Sequence, residues 1–423
     1  MASKNTQGAK GALALTANWK SIDDVFFREW NNRAQGSRRS IHRARQISAV
    51  LTLEELGFPI VMVVGSKGKG TAATYVSATL AALNLKVVTI TSPGLLVNNE
   101  RIRLNGEQIS DADLAMLGLK LSEAMSQVPV SESGYLSPTG AYTVAGVLFA
   151  KLVSADVLVM EEGLGGLSDE ISIFRPRALV VTPIFLEHTE ILGTTVSEIA
   201  EDLLGVCSPE TEIIISAPQV KDAMDVIQSK QSRWLELQNK RDVLPANVSW
   251  PAGLSKENAE LGVLAAFEML KVLKIDFERS SVVGTLNTVR LPGRLSIHTS
   301  ESDSVWVVDS AITGDGTRAA RAYFEDNFGT PDVVLASFPD DKNVADCYSQ
   351  LNGLNVTAVA ANSPNLRYSS ECHPQPPVLF LDIVKSMDQV GSKVLAVGTI
   401  SFVGEVLNYL GDNAVKLFDV KSQ

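Results

Sequence analysis

A run of apolar residues that leads into a glycine-rich loop constrains the fold of this chain more than any other feature. Residues Ile60–Val64 have the composition of a buried strand, and a segment of helical periodicity starts at Thr71. The loop between them consists of Gly65, Ser66, Lys67, Gly68, Lys69 and Gly70. Backbone N–H groups converge on phosphate oxygens only where no Cβ intrudes, and a helix N-terminus adds partial positive charge. The sequence therefore predicts a phosphate-binding loop, in which Lys69 reaches the outer phosphates and Thr71 contacts a phosphate or Mg²⁺.

The spacing within this loop departs from the strict phosphate-loop pattern. That pattern places Lys directly before Ser or Thr, whereas here Gly70 separates Lys69 from Thr71. By spacing alone, a glycine-rich turn between a strand and a helix, with both lysines in solvent, stays open as an alternative.

Short β-branched runs alternate with longer segments of helical periodicity along the chain. This alternation predicts an α/β protein with a parallel sheet that is covered by helices on both faces. The clearest strands of the first part are predicted at 60–64, 87–91, 156–160, 178–183 and 212–216. Helices are predicted at 38–56, 71–83, 112–126, 196–204 and 256–273.

The alternation restarts after Pro292, and this restart predicts a domain boundary. The segment 243–253 is rich in Pro, Asn and Gly. New strands are predicted at 305–309, 333–336, 356–360 and 394–397. We expect a phosphate-loop domain over residues 21–291 and a second, smaller α/β domain over residues 292–423. Residues 1–20 contain only a short apolar stretch and are expected to be disordered.

The composition indicates a protein that acts on small molecules. The chain has 423 residues, of which 45% are hydrophobic and 20% charged, and 37 basic against 48 acidic residues give a net charge of −11. This charge disfavours general binding to nucleic acid or to an anionic membrane. No apolar run approaches the ~18 residues of a membrane span, and Cys207, Cys347 and Cys372 have no metal-binding spacing. We therefore expect a cytoplasmic monomer without nucleic-acid or membrane partners.

One basic segment stands out against this acidic background. It contains Arg33, Arg38, Arg39, His42, Arg43 and Arg45. These cations either meet an anionic ligand or form the solvated face of a helix, and the sequence leaves both interpretations open.

Further stretches occur in the order of a known family. They are Thr91-Ser92-Pro93 with residues 99–106, Glu161-Glu162-Gly163-Leu164-Gly165-Gly166 with Asp169, residues 187–193, Pro292-Gly293-Arg294, Asp309, Asp341-Lys342 and residues 398–405. Together with the phosphate loop they resemble the folylpolyglutamate synthase and dihydrofolate synthase branch of the Mur ligase family. The resemblance extends from about Ser21 to Gly411. It implies a phosphate-loop sheet of the Mur ligase central-domain type, followed by a smaller α/β domain.

The resemblance also implies an ATP-dependent ligase that works with Mg²⁺. Such ligases transfer the γ-phosphate of ATP to a substrate carboxylate, and the amine of an amino acid, glutamate in the folate enzymes, then attacks the acyl phosphate. The implied nucleotide-binding positions are Gly65, Ser66, Lys67, Gly68, Lys69, Gly70, Thr71, Asn258, Arg294 and Asp309. The implied Mg²⁺-binding positions are Ser92, Glu161 and His188, and the implied catalytic positions are Lys69, Glu161 and His188.

Without the resemblance, some of these residues have simpler interpretations. His188 alone indicates a hydrogen-bonded loop histidine, and Ser92 before Pro93 indicates a turn residue. Glu161 differs from them, because an unpaired carboxylate at the end of a buried strand is costly and its presence favours a functional role.

Several positions depart from the family pattern. The usual residues are replaced by Gly94, Thr139, Gly140, Leu167, Leu203, Leu254, Ser255, Ile312 and Thr313. Leu203 stands where the family has a carbamylated lysine that helps to hold a second metal, and an aliphatic side chain cannot do this. Three hypotheses follow: an active ligase for a folate or another carboxylate, a diverged paralogue that uses a different acid, and a nucleotide-binding protein without ligase activity.

Overall fold

The structure is a computed structural model that describes residues 21, 23–129, 134–363, 366–389 and 391–421. The segment 1–20, for which we expect disorder, lies outside the described residues. The described part of the chain folds around two large sheets, and strands and helices are numbered here along the chain.

The larger sheet has eight strands, six of which run parallel. From one edge to the other they are β10 (Arg233–Glu236), β9 (Ile213–Ser216), β8 (Ala178–Val181), β2 (Ile60–Val64), β7 (Val157–Glu161), β3 (Val87–Ile90), β4 (Ile102–Leu104) and β5 (Glu107–Gln108). The last two strands are antiparallel to their neighbours. Because β2 lies between β8 and β7, the loop that follows it opens at the carboxyl edge in the middle of the sheet.

Helices cover both faces of this sheet. They are α1 (Asp24–Asn31), α2 (Ile41–Val50), α3 (Lys69–Ala82), α4 (Asp111–Gln127), α5 (Pro138–Leu152), α6 (Val196–Leu203), α7 (Lys221–Ser229), α8 (Leu254–Val272) and α9 (Val283–Leu286). Met62 and Val64 of β2 belong to the core under α5, whereas Val61 and Val63 belong to the core under α3 and α8. None of the helices in the described ranges is long and apolar enough to cross a membrane.

The smaller sheet has six strands, and all neighbours except the first pair run parallel. Its order is β11 (Ser296–Thr299), β12 (Val305–Asp309), β16 (Lys393–Gly398), β13 (Val333–Ser337), β14 (Val356–Ala360) and β15 (Val378–Leu379). Its helices are α10 (Gly314–Phe328), α11 (Val344–Ser349), α12 (Phe380–Met387) and α13 (Ile400–Tyr409). The α/β prediction is thus confirmed, and the domain boundary that we propose near Pro292 lies just before β11.

The predicted helix at 38–56 is wrong at both ends. Residues Arg38–Arg39 form a short strand, β1, which pairs with β6 at Gly134–Tyr135. Ser40 then caps α2, because its Oγ accepts the backbone N–H of Arg43. The helix therefore starts later and ends at Val50.

The chain segment after α13 returns to the larger sheet. Phe418 is buried in the core under α3 and α8 and packs on Gly106, where an added Cβ would lie 2.7 Å from its ring. Nη1 of Arg103 donates to the carbonyl of Val415 and Nη2 donates to that of Ala414, both at 2.9 Å. The two sheets are therefore connected by this segment as well as by the stretch that precedes β11.

Candidate active site

The loop after β2 has the shape that a phosphate-binding loop requires. Gly65 and Gly68 have φ values of 129° and 88°, which side chains rarely adopt. A Cβ on Gly65 would lie 2.3 Å from Oγ1 of Thr182, and a Cβ on Gly68 would lie 2.0 Å from Nδ2 of Asn258. Gly68 is also the N-cap residue of α3. The loop therefore needs glycine at both positions and places the N-terminus of a 14-residue helix at its end.

Lys69 begins α3 and folds back over the loop. Its Nζ lies 2.8 Å from Oε1 of Glu162 and donates to the carbonyl oxygen of Gly65 at 2.5 Å. Burial lowers the pKa of Lys69, but the carboxylates of Glu162, Glu161 and Glu187 outweigh this effect and raise it. Lys69 is therefore a charged lysine whose cation faces carboxylates.

Buried polar atoms without partners surround the loop. Oγ1 of Thr71, Oδ1 of Asn258 and Oε2 of Glu162 are buried and make no hydrogen bond within the described structure. Orphaned buried polar atoms are costly, so they indicate positions that a ligand satisfies. The glycines, the helix N-terminus and the Thr71 hydroxyl fit a nucleotide phosphate with its Mg²⁺, and the oxygen donors are those that Mg²⁺ prefers.

Ser92 and Glu161 meet beside this loop. The backbone N–H of Ser92 donates to Oε2 of Glu161 at 3.0 Å. A Cβ on Gly70 would lie 3.5 Å from each carboxylate oxygen of Glu161, so the carboxylate faces the start of α3. Burial raises the pKa of Glu161, although Lys69, the Ser92 N–H and Arg294 act against this shift. The Oγ of Ser92 accepts a hydrogen bond from Nη1 of Arg101 at 3.0 Å.

A cavity of ≈ 120 Å³ lies between the two sheets at this point. The larger sheet lines it with Gly70, Thr74, Ser92, Glu161 and other residues. The segment before β11 contributes Gly293 and Arg294, the residue after β12 contributes Ser310, and helix α13 contributes Ile400 and Val403. Residues that are distant in the sequence thus surround one space next to the phosphate loop.

Two predicted residues of the second unit lie at this boundary. Asp309 ends β12, and its carboxylate accepts the backbone N–H of Leu295 at 2.8 Å and that of Ala311 at 2.9 Å. Burial raises the pKa of Asp309 to about 6, against the effect of these hydrogen bonds and of Arg294. Arg294 also acts electrostatically on Glu161 and Lys67. Asp309 therefore shapes the turn that carries Arg294 toward the loop.

His188 lies apart from the other predicted metal-binding residues. It is exposed, has a φ of 47°, and does not line the cavity that Ser92 and Glu161 line. Its carbonyl oxygen accepts the backbone N–H groups of Ile191 and Leu192. The structure thus brings Ser92 and Glu161 together, whereas the role of His188 stays a prediction.

Sequence reasoning missed the roles of two charged residues. Glu162 was identified only as a member of a motif, although it is the direct ion-pair partner of Lys69. Arg101 was identified in the same way, although it binds Ser92 and lies 4.9 Å from the ring centroid of Tyr142. One feature of the sequence indicated a partner for Glu162. Two consecutive acidic residues at the end of a buried strand destabilise the fold unless a cation lies next to them.

The basic segment has mainly a structural role at its centre. Nη1 of Arg39 lies 3.2 Å from Oδ2 of Asp169, and Nη2 of Arg43 lies 2.5 Å from Oε1 of Glu29. Arg43 also donates to the carbonyl oxygens of residues 128 and 129. Arg39 therefore connects β1 to the loop after β7, and Arg43 connects α2 to α1 and to the residues that follow α4.

The departures from the family pattern fall in different surroundings. Leu203 is 1% exposed and belongs to the core under α5, whereas Leu167 and Leu254 are 56% and 74% exposed. A Cβ added to Gly140 would lie 2.6 Å from Cδ of Glu170. Glu170 therefore fills the space next to Gly140, one of the positions that depart from the family pattern.

No protein-family profile matches the chain, but individual proteins do. A dihydrofolate synthase/folylpolyglutamate synthase from Bacillus subtilis is 30% identical over 199 residues, 47% of this chain and 46% of that protein. A folylpolyglutamate synthase from Lacticaseibacillus casei is 25% identical over 312 residues, 67% of this chain and 72% of that protein. The match to the Bacillus protein thus spans about half of that protein's length.

Solved structures extend the likeness to nearly the whole fold. The apo form of L. casei FPGS has a TM-score of 0.79 at 19% identity and covers 92% of this chain and 99% of that chain. E. coli FolC in complex with DHPP and ADP has a TM-score of 0.75 at 20% identity. This match covers 93% of this chain and 98% of that chain. Fold and site thus define a phosphate-loop α/β protein with a second, smaller α/β unit, of the kind seen in folylpolyglutamate synthases. The sequence matches add to this: the chain is similar to a dihydrofolate synthase/folylpolyglutamate synthase over 47% of its length and to a folylpolyglutamate synthase over 67% of its length.

Proposed function

We propose that this protein is an ATP-dependent amide-bond ligase that joins an amino acid, glutamate in the first instance, to a folate or a related carboxylate. The observation that carries the proposal is the group of orphaned buried atoms at Thr71, Asn258 and Glu162, beside the paired Ser92 and Glu161. A site of this kind holds a phosphate and a cation. The named relatives are synthases of this type, which supports the choice of substrates.

The residues of the loop bind and orient the nucleotide in this proposal. The glycines leave the backbone N–H groups open to the phosphates, and Lys69 releases Glu162 to reach the outer phosphates. Ser92 and Glu161 would hold Mg²⁺, which would supply the positive charge that lets an anionic acid approach an anionic triphosphate, and His188 stays a predicted further ligand that would have to move toward them. Asn258 lies against Gly68 and positions the nucleotide from the side of α8.

The reaction proceeds in two transfers. A carboxylate oxygen of the acid bonds to the γ-phosphorus of ATP, and the bond between that phosphorus and the bridging oxygen breaks, so that ADP leaves. The nitrogen of the amino acid, after losing a proton, then bonds to the acyl carbon. The bond from that carbon to the phosphate oxygen breaks, and inorganic phosphate leaves with one oxygen of the original acid.

The second unit closes the site in this account. Arg294 lies at the edge of the cavity between the two sheets and acts electrostatically on Glu161, and Asp309 accepts the backbone N–H of the next residue, Leu295. Movement of the second unit toward the larger sheet would bring the guanidinium of Arg294 onto the nucleotide. It would also exclude water, which would otherwise hydrolyse the acyl phosphate. We further propose that the protein acts as a cytoplasmic monomer on small molecules.

A second candidate is a ligase for a different acid, and the surroundings of Gly140 favour it. Thr139 and Gly140 replace larger side chains of the family, and Cγ2 of Thr139 would lie 2.5 Å from a Cβ on Gly163. These residues therefore pack on the loop after β7 and change the surface that an acid would meet. A panel of acids distinguishes this candidate from the first.

The test is a steady-state assay of ADP release by the purified chain with ATP and Mg²⁺. Pteroate, dihydropteroate and folate are each combined with each amino acid, followed by a panel of other carboxylic acids. The proposal expects ADP release that requires both an acid and an amino acid, with loss of at least 100-fold in Lys69→Ala. Glu210→Gln, which changes an exposed ion pair with Arg175, serves as the matched control and should leave the rate unchanged. ATP binding without turnover for any combination would exclude a ligase.

A further inference from the structure

Arg101 is a buried arginine that the proposed function leaves without a role. It ends the short helical turn Asn98–Arg101, immediately before β4, and is 9% exposed. Its Nη1 donates to Oγ of Ser92 at 3.0 Å, and its Nε donates to Oδ1 of Asn98 at 2.8 Å. The guanidinium therefore holds the hydroxyl of a residue that lines the cavity next to the phosphate loop.

Backbone pairing and an aromatic ring hold this guanidinium in place. The backbone N–H of Thr91 donates to the carbonyl oxygen of Arg101 at 2.9 Å and continues the antiparallel pairing of β3 with β4, so Arg101 lies opposite the residue before Ser92. The ring of Tyr142, which is 1% exposed, lies against the guanidinium with its centroid 4.9 Å from Cζ. The hydroxyl of Tyr142 donates to Oδ1 of Asp23 at 2.7 Å and so fixes the ring.

The hydrogen bond from Arg101 determines how the Ser92 oxygen can be used. Burial lowers the pKa of Arg101, and the acidic residues Asp23, Glu161 and Glu100 act against this shift. A guanidinium has five N–H donors and no acceptor, so the Ser92 oxygen has to give it a lone pair. The second lone pair of that oxygen and the hydroxyl proton therefore remain for groups inside the cavity.

We propose that Arg101 is a positioning residue, which holds the hydroxyl of Ser92 in the orientation that binds the Mg²⁺ of the nucleotide. Two effects of its guanidinium oppose each other. The positive charge acts on Glu161 and repels a divalent cation, so charge alone would weaken cation binding. The hydrogen bond orients Ser92 and strengthens cation binding, and partners of this kind contribute about 10- to 100-fold to metal affinity. This inference rests on the proposed binding of ATP and Mg²⁺, but it does not require that an amide bond forms.

The test measures the affinity of the whole chain for Mn²⁺ by electron paramagnetic resonance, in the presence of a nonhydrolysable ATP analogue. Arg101→Met should bind Mn²⁺ at least about tenfold more weakly than the wild type, although it lacks the repelling charge, and Arg101→Lys should recover part of the loss. Arg175→Met, at an exposed arginine that is paired with Glu210, should keep the wild-type affinity. Unchanged or tighter binding by Arg101→Met would overturn the proposal.

A double-mutant cycle shows whether Arg101 acts through Ser92. Ser92→Ala alone should weaken Mn²⁺ binding by a similar factor, and adding Arg101→Met to it should weaken binding no further. If the double variant shows the product of two separate losses, Arg101 acts by another route and the proposal is wrong.

Asn98→Ala covers the case in which Arg101→Met folds poorly. It removes the partner of Nε at a half-buried position and should weaken Mn²⁺ binding about threefold in the wild type but not in Ser92→Ala. An equal effect in both backgrounds, or no effect in either, would contradict the positioning role.

Failure of this inference and failure of the proposed function give different results, because the mixture contains no acid and no amino acid. A wild-type chain that binds no Mn²⁺ with the analogue would contradict the nucleotide site itself and the role of Arg101 with it. Wild-type binding that Arg101→Met retains in full would contradict only the role of Arg101.

Discussion

The backbone N–H of Ser92 donates to Oε2 of Glu161 at 3.0 Å and so joins the loop after β3 to the end of β7. These strands are neighbours in the larger sheet, and β7 also neighbours β2, which carries the phosphate loop. The phosphate loop, the Glu161 carboxylate and Ser92 therefore lie at one edge of the sheet, because they follow or end three adjacent parallel strands. The site depends on this strand order more than on any single turn.

The charge of Glu161 is the first feature to test. Glu161→Gln retains an oxygen that can accept the N–H of Ser92 but removes the negative charge, so folding should be preserved while Mg²⁺ binding weakens. We expect kcat/KM to fall by about 100-fold, in the range found for charged groups at reacting centres. Steady-state rates over a Mg²⁺ titration check this, with circular dichroism as the folding control. Full activity at every Mg²⁺ concentration would exclude Glu161 from the site.

The ion pair of Lys69 predicts a stability effect that is separate from activity. Lys69→Ala leaves the buried carboxylate of Glu162 without its cation and should lower the free energy of unfolding by about 3 kcal/mol. Adding Glu162→Gln removes the stranded charge, so the double variant should recover most of the stability while still failing to bind ATP. Urea unfolding of the four chains in this cycle measures the coupling. Equal stability of Lys69→Ala and the wild type would show that the pair contributes nothing.

The backbone conformation of Gly68 allows a matched comparison. Gly68→Ala combines a φ of 88° with a Cβ that would lie 2.0 Å from Asn258, so Asn258 has to move. Gly57 has a φ of 73° but nothing within 4 Å of an added Cβ. Gly57→Ala should therefore cost only the conformational strain, about 1 kcal/mol, whereas Gly68→Ala should cost roughly 1–3 kcal/mol more and abolish nucleotide binding. Thermal unfolding and nucleotide titration of both variants test this, and equal costs would argue against the contact with Asn258.

The raised pKa of Asp169 predicts that the free energy of unfolding depends on pH. Burial and the neighbouring Glu170 raise the pKa of Asp169 from 3.8 to about 7 in the folded chain. A carboxyl group with a raised pKa binds more protons in the folded than in the unfolded state, so its contribution to stability is present at low pH and is lost as the pH rises through about 7. Asp169→Asn should therefore lose less stability than the wild type between about pH 4 and pH 7.

The measurement is urea unfolding across this pH range. Asp225→Asn, at an exposed ion pair with Lys221, is the control and should keep the wild-type slope. If Asp169→Asn has the same slope as the wild type, the proton on Asp169 is not linked to folding.

Local patterns predicted much of the fold. The strands at Ile60–Val64, Val305–Asp309 and Val356–Ala360 have the predicted bounds, because buried parallel strands give short β-branched runs between polar turns. The prediction of a helix at 38–56 was wrong at its start because Arg38–Arg39 pair with residues 134–135 and Ser40 caps the helix that follows. Helical periodicity alone does not show either contact. The return of Phe418 to the larger sheet had no local signal at all.

The candidate site was predictable only where its residues are consecutive. The loop from Gly65 to Thr71 is encoded as one stretch, and motif order led to Glu161 and Ser92. The partner of Lys69 was not predictable, because Glu162 follows β7 whereas Lys69 begins the helix after β2, and only the pairing of these two strands brings the residues together. The contact between Asn258 and Gly68 likewise depends on the close packing of α8 on α3, where a Cβ on Gly262 would lie 2.4 Å from the carbonyl oxygen of Ala72.

The most direct test of the ligase account follows one oxygen atom. An acid substrate labelled with ¹⁸O in its carboxylate is incubated with the protein, ATP, Mg²⁺ and the amino acid, and the inorganic phosphate is analysed by mass spectrometry. Formation of an acyl phosphate predicts that one ¹⁸O from each acid molecule appears in the phosphate, in equal amount to the amide formed. Unlabelled phosphate released together with amide product would contradict the acyl-phosphate route and with it the function proposed for this site.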